Sequence, residues 1–427
     1  MDMIINPVQS LKGEITVPGD KSISHRAVIF GAIAKGTTEI DGFLIGEDCL
    51  STIDCFRKLG IQIDILHNNT VKVYGKGLHG LQLPSELLYT GNSGTTTRLL
   101  LGLLAGQNFT SRIDGDESIR KRPMGRVIEP LTQMGANIKG IQDNLCPLTI
   151  TGQPLQGIEY TLPVASAQLK SALLLASLYA EGNTIITEPE KSRNHSELML
   201  NYFGANISNK GHDICSSPVS QLHAQHISVP GDISSAAYFM VAGLIIPNSE
   251  IVIRNVGINP SRTGIIDVLI RMGAHIHMIN MNTINNEPIA DILVKSSSLV
   301  GTTIEGAMIP RLIDEIPILA VAAAVASGTT VVKNAQELKV KESNRIKTIA
   351  TELSKAGVDI QETKDGIIIE GGRSIKSAEF ESYNDHRIAM SMAVAGLMGE
   401  SDSFIKDAEA VNISFPNYFE ILKSLQI

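Results

Sequence analysis

Pro18-Gly19-Asp20-Lys21-Ser22-Ile23-Ser24-His25-Arg26 runs through a stretch of small and apolar residues to Ala34, then into Gly36-Thr37-Thr38-Glu39-Ile40. Ser24–Ala34 has the composition of a buried helix, and the β-branched run after Gly36 has that of a strand. The same helix-then-strand signal returns five times. It appears at Thr95–Ala105, at Ala167–Ala180 before Thr184-Ile185-Ile186, and at Ser234–Ile245 before Ile251-Val252-Ile253. Glu315–Ala326 before Thr329-Thr330-Val331-Val332 and His386–Leu397 before Ser403-Phe404-Ile405 complete the set. A second, amphipathic helix follows each strand. Five of these end at the same punctuation, at Gly60, Gly135, Gly204, Gly273 and Gly357, where a left-handed C′ residue is expected and a strand follows directly. These glycines lie 75, 69, 69 and 84 residues apart, the long interval matching the polar insertion Asn280–Pro288.

The chain therefore reads as six units of helix, strand, helix, strand, strand, an α/β (α+β) pattern. Pro18-Gly19-Asp20 and Pro230-Gly231-Asp232 stand 212 residues apart, half of the 427. Pro-Gly pairs interrupt regular structure. The expected division is a three-unit domain over 19–230, and a second made of 1–18 plus 231–427, with a ligand cleft between them.

Composition bounds the function. With 43% hydrophobic residues a folded core is expected, and 36 Lys+Arg against 44 Asp+Glu give a net charge of −8. That balance excludes a basic nucleic-acid or membrane surface, and 4% aromatics without Trp leave no base-stacking platform. Cys49, Cys55, Cys146 and Cys215 fall at no metal-ligand spacing and read as reduced cytoplasmic thiols. No signal peptide and no run long enough to span a bilayer is read, and no nucleotide or metal cofactor motif is present.

The chemistry gathers at the starts of the first helices. Lys21-Ser22-Ile23-Ser24-His25-Arg26 opens one, and Asn92-Ser93-Gly94-Thr95-Thr96-Thr97-Arg98 another. Free backbone N–H groups beside Gly and a cation make an anion site. Ordinary Ser/Thr capping is the alternative. Further cations sit in loops, in Arg120-Lys121-Arg122, at Arg193, in Lys339–Arg345 and at Arg387. So many Arg and Lys at repeat ends of an acidic protein point to small polyanionic ligands. Asp314 and Glu342 lie at the same ends and could work as acid or base, with a structural ion pair equally open. For Glu315, a helix-dipole partner and a group for proton chemistry are equally open.

These motifs resemble, in order and across essentially the whole chain, the 5-enolpyruvylshikimate-3-phosphate synthase family of enolpyruvyl transferases. The matches are Pro18–Arg26, Gly91–Arg98, Arg120–Pro123, Ser166-Ala167-Gln168-Leu169-Lys170, Lys341–Arg345 and Asn384-Asp385-His386-Arg387. The resemblance implies two domains, each of three helix/strand units with helices packed inside sheets, an inside-out α/β barrel. It implies transfer of the enolpyruvyl group of phosphoenolpyruvate to the 5-hydroxyl of shikimate 3-phosphate, a step of the shikimate pathway to chorismate and aromatic amino acids. By that resemblance Lys21, Ser22, Arg26, Ser166, Gln168, Arg193, Asp314 and Lys341 meet shikimate 3-phosphate. Lys21, Gly94, Arg122, Gln168, Arg345 and Arg387 meet phosphoenolpyruvate. Asp314 accepts the hydroxyl proton, and Glu342 and Lys21 are the candidates for the proton at C3. The family is the target of glyphosate and needs no cofactor; a cytoplasmic monomer acting on small molecules is expected. The sequence departs from many members at Ala167 and Glu337, and in having no lysine in Ala408–Asn412. The neighbouring UDP-N-acetylglucosamine enolpyruvyl transferases use a loop cysteine as an acid, and Asp116–Pro123 holds none.

Overall fold

The computed structural model describes residues 2–142 and 144–427, which fall into two compact units. One comprises 19–229 with the short segment 284–287, and the other comprises 1–18, 230–283 and 288–427.

The repeat has a physical cause at each boundary. The six first helices are Lys21–Ile33, Gly94–Ala105, Ala167–Ser177, Ile233–Ile245, Ile316–Val325 and His386–Gly396. In five of them a side chain caps the start: Asp20, Ser93, Ser166, Asp232 and Asp385 accept from N–H groups two or three residues on. These helices are apolar almost all round, and all thirteen residues of Ile233–Ile245 are buried. A helix with no polar face belongs inside, so they form the centre of each unit. At Gly102 a Cβ would meet the Ala172 carbonyl oxygen at 2.0 Å, so glycine there lets two first helices approach backbone to backbone.

The second helices bury one side only; Gly125–Gln133 buries Val127, Ile128, Pro130 and Leu131. All five punctuating glycines take positive φ, between 80° and 101°. Each closes a Schellman motif: Gly60 N donates to Arg57 O and Ile61 N to Phe56 O, both at 3.0 Å, and the other four repeat this pattern. The chain then turns directly into a β-hairpin.

Each repeat builds one small sheet. In the second, Leu88–Tyr89 runs parallel to Thr110–Asp114, which pairs with Leu145–Thr151 and through it with Asn137–Ile141. The rings close through distant strands. His226–Ser228 supplies the parallel lead strand for Ala34–Asp41. Lys12–Thr16 does the same for Glu250–Gly257, and Met3–Ile5 pairs with Ser403–Ile405, where the shortened last repeat has no hairpin. The two units have separate hydrophobic cores with no residue in common. Phe30, Phe56, Leu101, Leu174 and Phe203 lie in one, and Phe239, Ile318, Met390 and Phe415 in the other.

Candidate active site

In the 19–229 unit the starts of the first helices carry the cations. Lys21 opens its helix directly after the Asp20 cap, and its Nζ pairs with Asp48 Oδ2 at 2.9 Å. The charge that opposes the helix dipole is thus offset by a buried carboxylate as well as by any ligand. Arg26, one turn on, is buried. Its Nη1 donates to the Ser22 carbonyl at 2.9 Å, its Nε to Ser196 Oγ and its Nη2 to Ser171 Oγ, both at 2.7 Å. Between them His25 is fully buried, and its Nδ1 lies 2.7 Å from Thr52 Oγ1. Thr52, Thr96 and Ser93 continue as a hydroxyl chain at 2.7 Å steps to the start of the Gly94 helix. Burial first, then the charges of Lys21 and Arg26, hold the His25 pKa well below 6.5, so this imidazole is neutral.

Gly94 is the first residue of the second such helix. A Cβ there would lie 2.7 Å from Arg98 Nη1 and 3.4 Å from Arg122 Nη1. Arg98 donates to Gln168 Oε1 at 2.8 Å, and Gln168 Nε2 to Thr95 Oγ1 at 3.0 Å. Arg122 Nη2 is held by Asn92 Oδ1 at 2.8 Å and Ser118 Oγ at 3.0 Å. Gly94, Arg98, Arg122 and Gln168 therefore form one cluster. Of the run Arg120-Lys121-Arg122 only Arg122 is buried, and Arg120 turns away into a fork-shaped pair with Asp114. That guanidinium holds the Asp114 carboxyl below its usual range, against the opposing effect of burial. Ser166 caps its helix through Leu169 N at 3.4 Å. Arg193 is half-buried, just before the helix His195–Tyr202.

The other unit gathers its groups on one guanidinium. Arg345 is 2% exposed. Its Nη2 reaches Glu342 Oε2 at 2.6 Å, its Nε Asp385 Oδ2 at 2.8 Å, and its Nη1 Asp314 Oδ1 at 3.3 Å. Lys341 Nζ lies 3.5 Å from the same Asp314 oxygen. Burial works against the charge of Arg345, but Asp385, Glu342 and Asp314 outweigh it and raise its pKa, so it stays a cation. Arg387 joins through Asp385, whose Oδ1 caps Arg387 N at 3.0 Å, and its Nη1 contacts the Ser234 carbonyl at 3.4 Å. Lys339, from the same loop as Lys341, is drawn instead towards Glu362 on the surface.

Glu315 stands at the start of the helix Ile316–Val325. It is buried and accepts from Ser234 Oγ, which in turn accepts from Arg262 Nη2 at 2.7 Å.

Three residues that hold these clusters together escaped the sequence reading. Arg98 stood in a matched motif without a role, although its place one turn after Gly94 puts the two on one helix face. Asp48 and Asp385 hold Lys21 and Arg345, and nothing local in the sequence ties an acid to a cation 27 or 40 residues away. The same holds for Lys170, fully buried between Glu188 at 3.0 Å and Glu197 at 2.7 Å. Cys146 is no substitute for a catalytic loop cysteine: burial, with a smaller push from Asp114, raises its thiol pKa to about 11.

Comparison with known proteins gives the family. Residues 5–422 match the profile of EPSP synthase (3-phosphoshikimate 1-carboxyvinyltransferase). The 3-phosphoshikimate 1-carboxyvinyltransferase of Thermoanaerobacter sp. (strain X514) is 57% identical, with 100% of each chain covered. That of Desulforamulus reducens is 53% identical over 100% of this chain and 99% of its own. Among solved structures, an EPSP synthase from Acinetobacter baumannii superposes with a TM-score of 0.89 at 47% identity, covering 100% of this chain and 98% of that one. The enolpyruvyl transferase NikO from Streptomyces tendae, at 16% identity and a TM-score of 0.80 over 99% of this chain and 97% of its own, shares the fold. With a full-length profile match and relatives more than half identical from end to end, the chain belongs to the EPSP synthase family.

Proposed function

We propose that the 3-phosphoshikimate 1-carboxyvinyltransferase activity this chain has as a member of its family is divided between its two units as follows. In the 19–229 unit Lys21, Ser22, Arg26, Ser166, Gln168 and Arg193 hold shikimate 3-phosphate, while Lys21, Gly94, Arg122 and Gln168 meet phosphoenolpyruvate. In the other unit Asp314 and Lys341 meet shikimate 3-phosphate, and Arg345 and Arg387 meet phosphoenolpyruvate. Both substrates are multiply anionic, so bringing them together demands this many cations.

C3 of phosphoenolpyruvate takes a proton from Glu342 or Lys21. The 5-hydroxyl oxygen adds to C2 as its proton passes to Asp314. The tetrahedral adduct then loses phosphate from C2 and a proton from C3, which restores the double bond and leaves one enolpyruvyl ether and one inorganic phosphate. The observation that carries this reading is Arg345: one buried cation holds Asp314 and Glu342, the two carboxylates among the three candidates for proton transfer. Its charge steadies Asp314 and Glu342 while protons pass through them. The same reading has the chain working as a monomer in the cytoplasm, where its four free cysteines stay reduced.

Phosphate release tests it. Shikimate 3-phosphate with phosphoenolpyruvate should release phosphate, and UDP-N-acetylglucosamine should not substitute. Glu342→Gln should lower kcat by at least about a hundredfold, within the usual reach of general acid–base catalysis, with shikimate 3-phosphate still bound. Turnover unchanged by that substitution would remove Glu342 from the mechanism.

A further inference from the structure

The polar insertion Asn280–Pro288 lengthens one repeat, and no residue given a role above lies in it. Its tip is a two-residue turn in which Asn285 and Asn286 both take positive φ, 52° and 67°. The segment 284–287 belongs to the 19–229 unit and is fastened there. Ser228 N donates to Asn285 Oδ1 at 2.8 Å, and Asn285 Nδ2 donates to the His226 carbonyl at 3.0 Å and to the Tyr202 hydroxyl at 3.2 Å. Two residues on, Glu287 is only 3% exposed, and its Oε1 lies 2.6 Å from Nδ1 of the equally buried His195. A carboxylate is costly to bury unless it is bonded, so this pair is a built contact rather than a chance meeting of surface groups.

His195 lies in Ser192–Glu197, a segment fixed on several sides. Ser192 N donates to Glu188 Oε1 at 3.2 Å. Ser196 Oγ accepts from Arg26 and bonds Ser171, and Glu197 pairs with Lys170. Ser192, His195, Ser196 and Glu197 are buried, and Arg193 and Asn194 between them are half-buried. The fastening to Glu287 holds this segment at His195, two residues from Arg193 on its C-terminal side.

We propose that Glu287 is a positioning residue for the acceptor substrate: through His195 it fixes the segment from which Arg193 meets shikimate 3-phosphate. The inference rests on the reading of Arg193 given above. It makes the hairpin tip, by sequence the most distant part of this unit, a determinant of acceptor recognition and not of donor binding or proton transfer.

Steady-state phosphate release by the full chain tests it, with each substrate varied in turn and thermal melting recorded alongside. Glu287→Ala should raise KM for shikimate 3-phosphate about tenfold, the scale of one charge-assisted hydrogen bond, with kcat and KM for phosphoenolpyruvate within about twofold. Glu287→Gln, whose amide oxygen still accepts from His195, should recover KM to within about threefold of the parent. In an Arg193→Ala background the Glu287→Ala change should add less than about twofold, because the two then act through one group. Equal rises in both Michaelis constants, a fall in kcat alone, or full additivity would overturn the inference. If Arg193→Ala raises KM for shikimate 3-phosphate and Glu287→Ala does not, the inference alone falls. If Arg193→Ala leaves that constant unmoved, the reading of Arg193 falls and takes the inference with it. Should Glu287→Ala not fold, His195→Ala removes the other partner and is held to the same outcomes.

Discussion

Gly94→Ala isolates the crowding around Gly94, where the reading proposed above seats phosphoenolpyruvate. The added methyl group would start 2.7 Å from Arg98 Nη1, which must retreat by about 0.8 Å to reach an ordinary separation of about 3.5 Å. Arg98 is not free to do so without consequence, because it donates to Gln168 Oε1 at 2.8 Å, and a shift of that size breaks a charge-assisted bond. Losing one such bond costs about 1.5–3 kcal/mol, or one to two decades in affinity. The backbone sets no penalty of its own. Gly94 opens a helix at an ordinary negative φ, where alanine is favoured over glycine by about 0.5–1 kcal/mol. The expected result is a KM for phosphoenolpyruvate raised at least about tenfold with a melting temperature only a few degrees lower, because the helix gain offsets part of the lost bond. Inhibition by glyphosate should weaken by more than the substrate does. The assay is phosphate release at varied phosphoenolpyruvate, with a parallel melt. A KM within twofold of the parent, or an inhibition constant unmoved beside it, would refute the argument from the 2.7 Å contact.

Three further outcomes follow from buried features of the same unit. Lys170→Met should destabilise the protein by about 3–5 kcal/mol in urea titrations followed by circular dichroism, since Glu188 and Glu197 would be left buried without their cation; a loss below 1 kcal/mol would contradict it. Gly102→Ala should cost about 1–3 kcal/mol by forcing two central helices apart, and an unchanged urea midpoint would show that they yield freely. His25 has a folded pKa well below its unfolded value, so the unfolded chain takes up the proton first as pH falls. Its contribution is intact above about pH 6.5 and is lost below it at up to about 1.4 kcal/mol per pH unit. The stability gap between the parent and His25→Asn should therefore shrink from pH 7.5 to 5.5, and parallel curves would count against it.

The parts of this molecule that could be read in the sequence are those with local causes. The five punctuating glycines were legible because a positive φ after a helix selects glycine whatever surrounds it. The first helices were legible because a helix without a polar face has only one place to go. What closes each ring was not. His226–Ser228 pairs with Glu39–Asp41 across 187 residues, and no propensity in either strand names the other. The site divides in the same way. Lys21 and Arg26 stood out in the candidate site because cations near a helix start run against the dipole. The sequence could not separate buried Arg122 from exposed Arg120, nor attach Asp48 to Lys21 or Asp385 to Arg345. A buried cation needs some acid nearby, and folding decides which one.

Ring closure by distant strands also sets an order of events on the ribosome. The 19–229 stretch holds both ends of its own ring, so its sheets can pair soon after His226–Ser228 emerges. Met3–Ile5 and Lys12–Thr16 are made earlier than any of it, yet the former must wait for Ser403–Ile405. At translation rates of about 5–20 residues per second that delay is roughly 20–80 s. For all that time a strand-forming segment trails from a nascent chain with nothing to pair against. The other early strand, Lys12–Thr16, waits only for Glu250–Gly257, and its Lys12 and Glu14 supply charges that keep it from pairing with another chain until then.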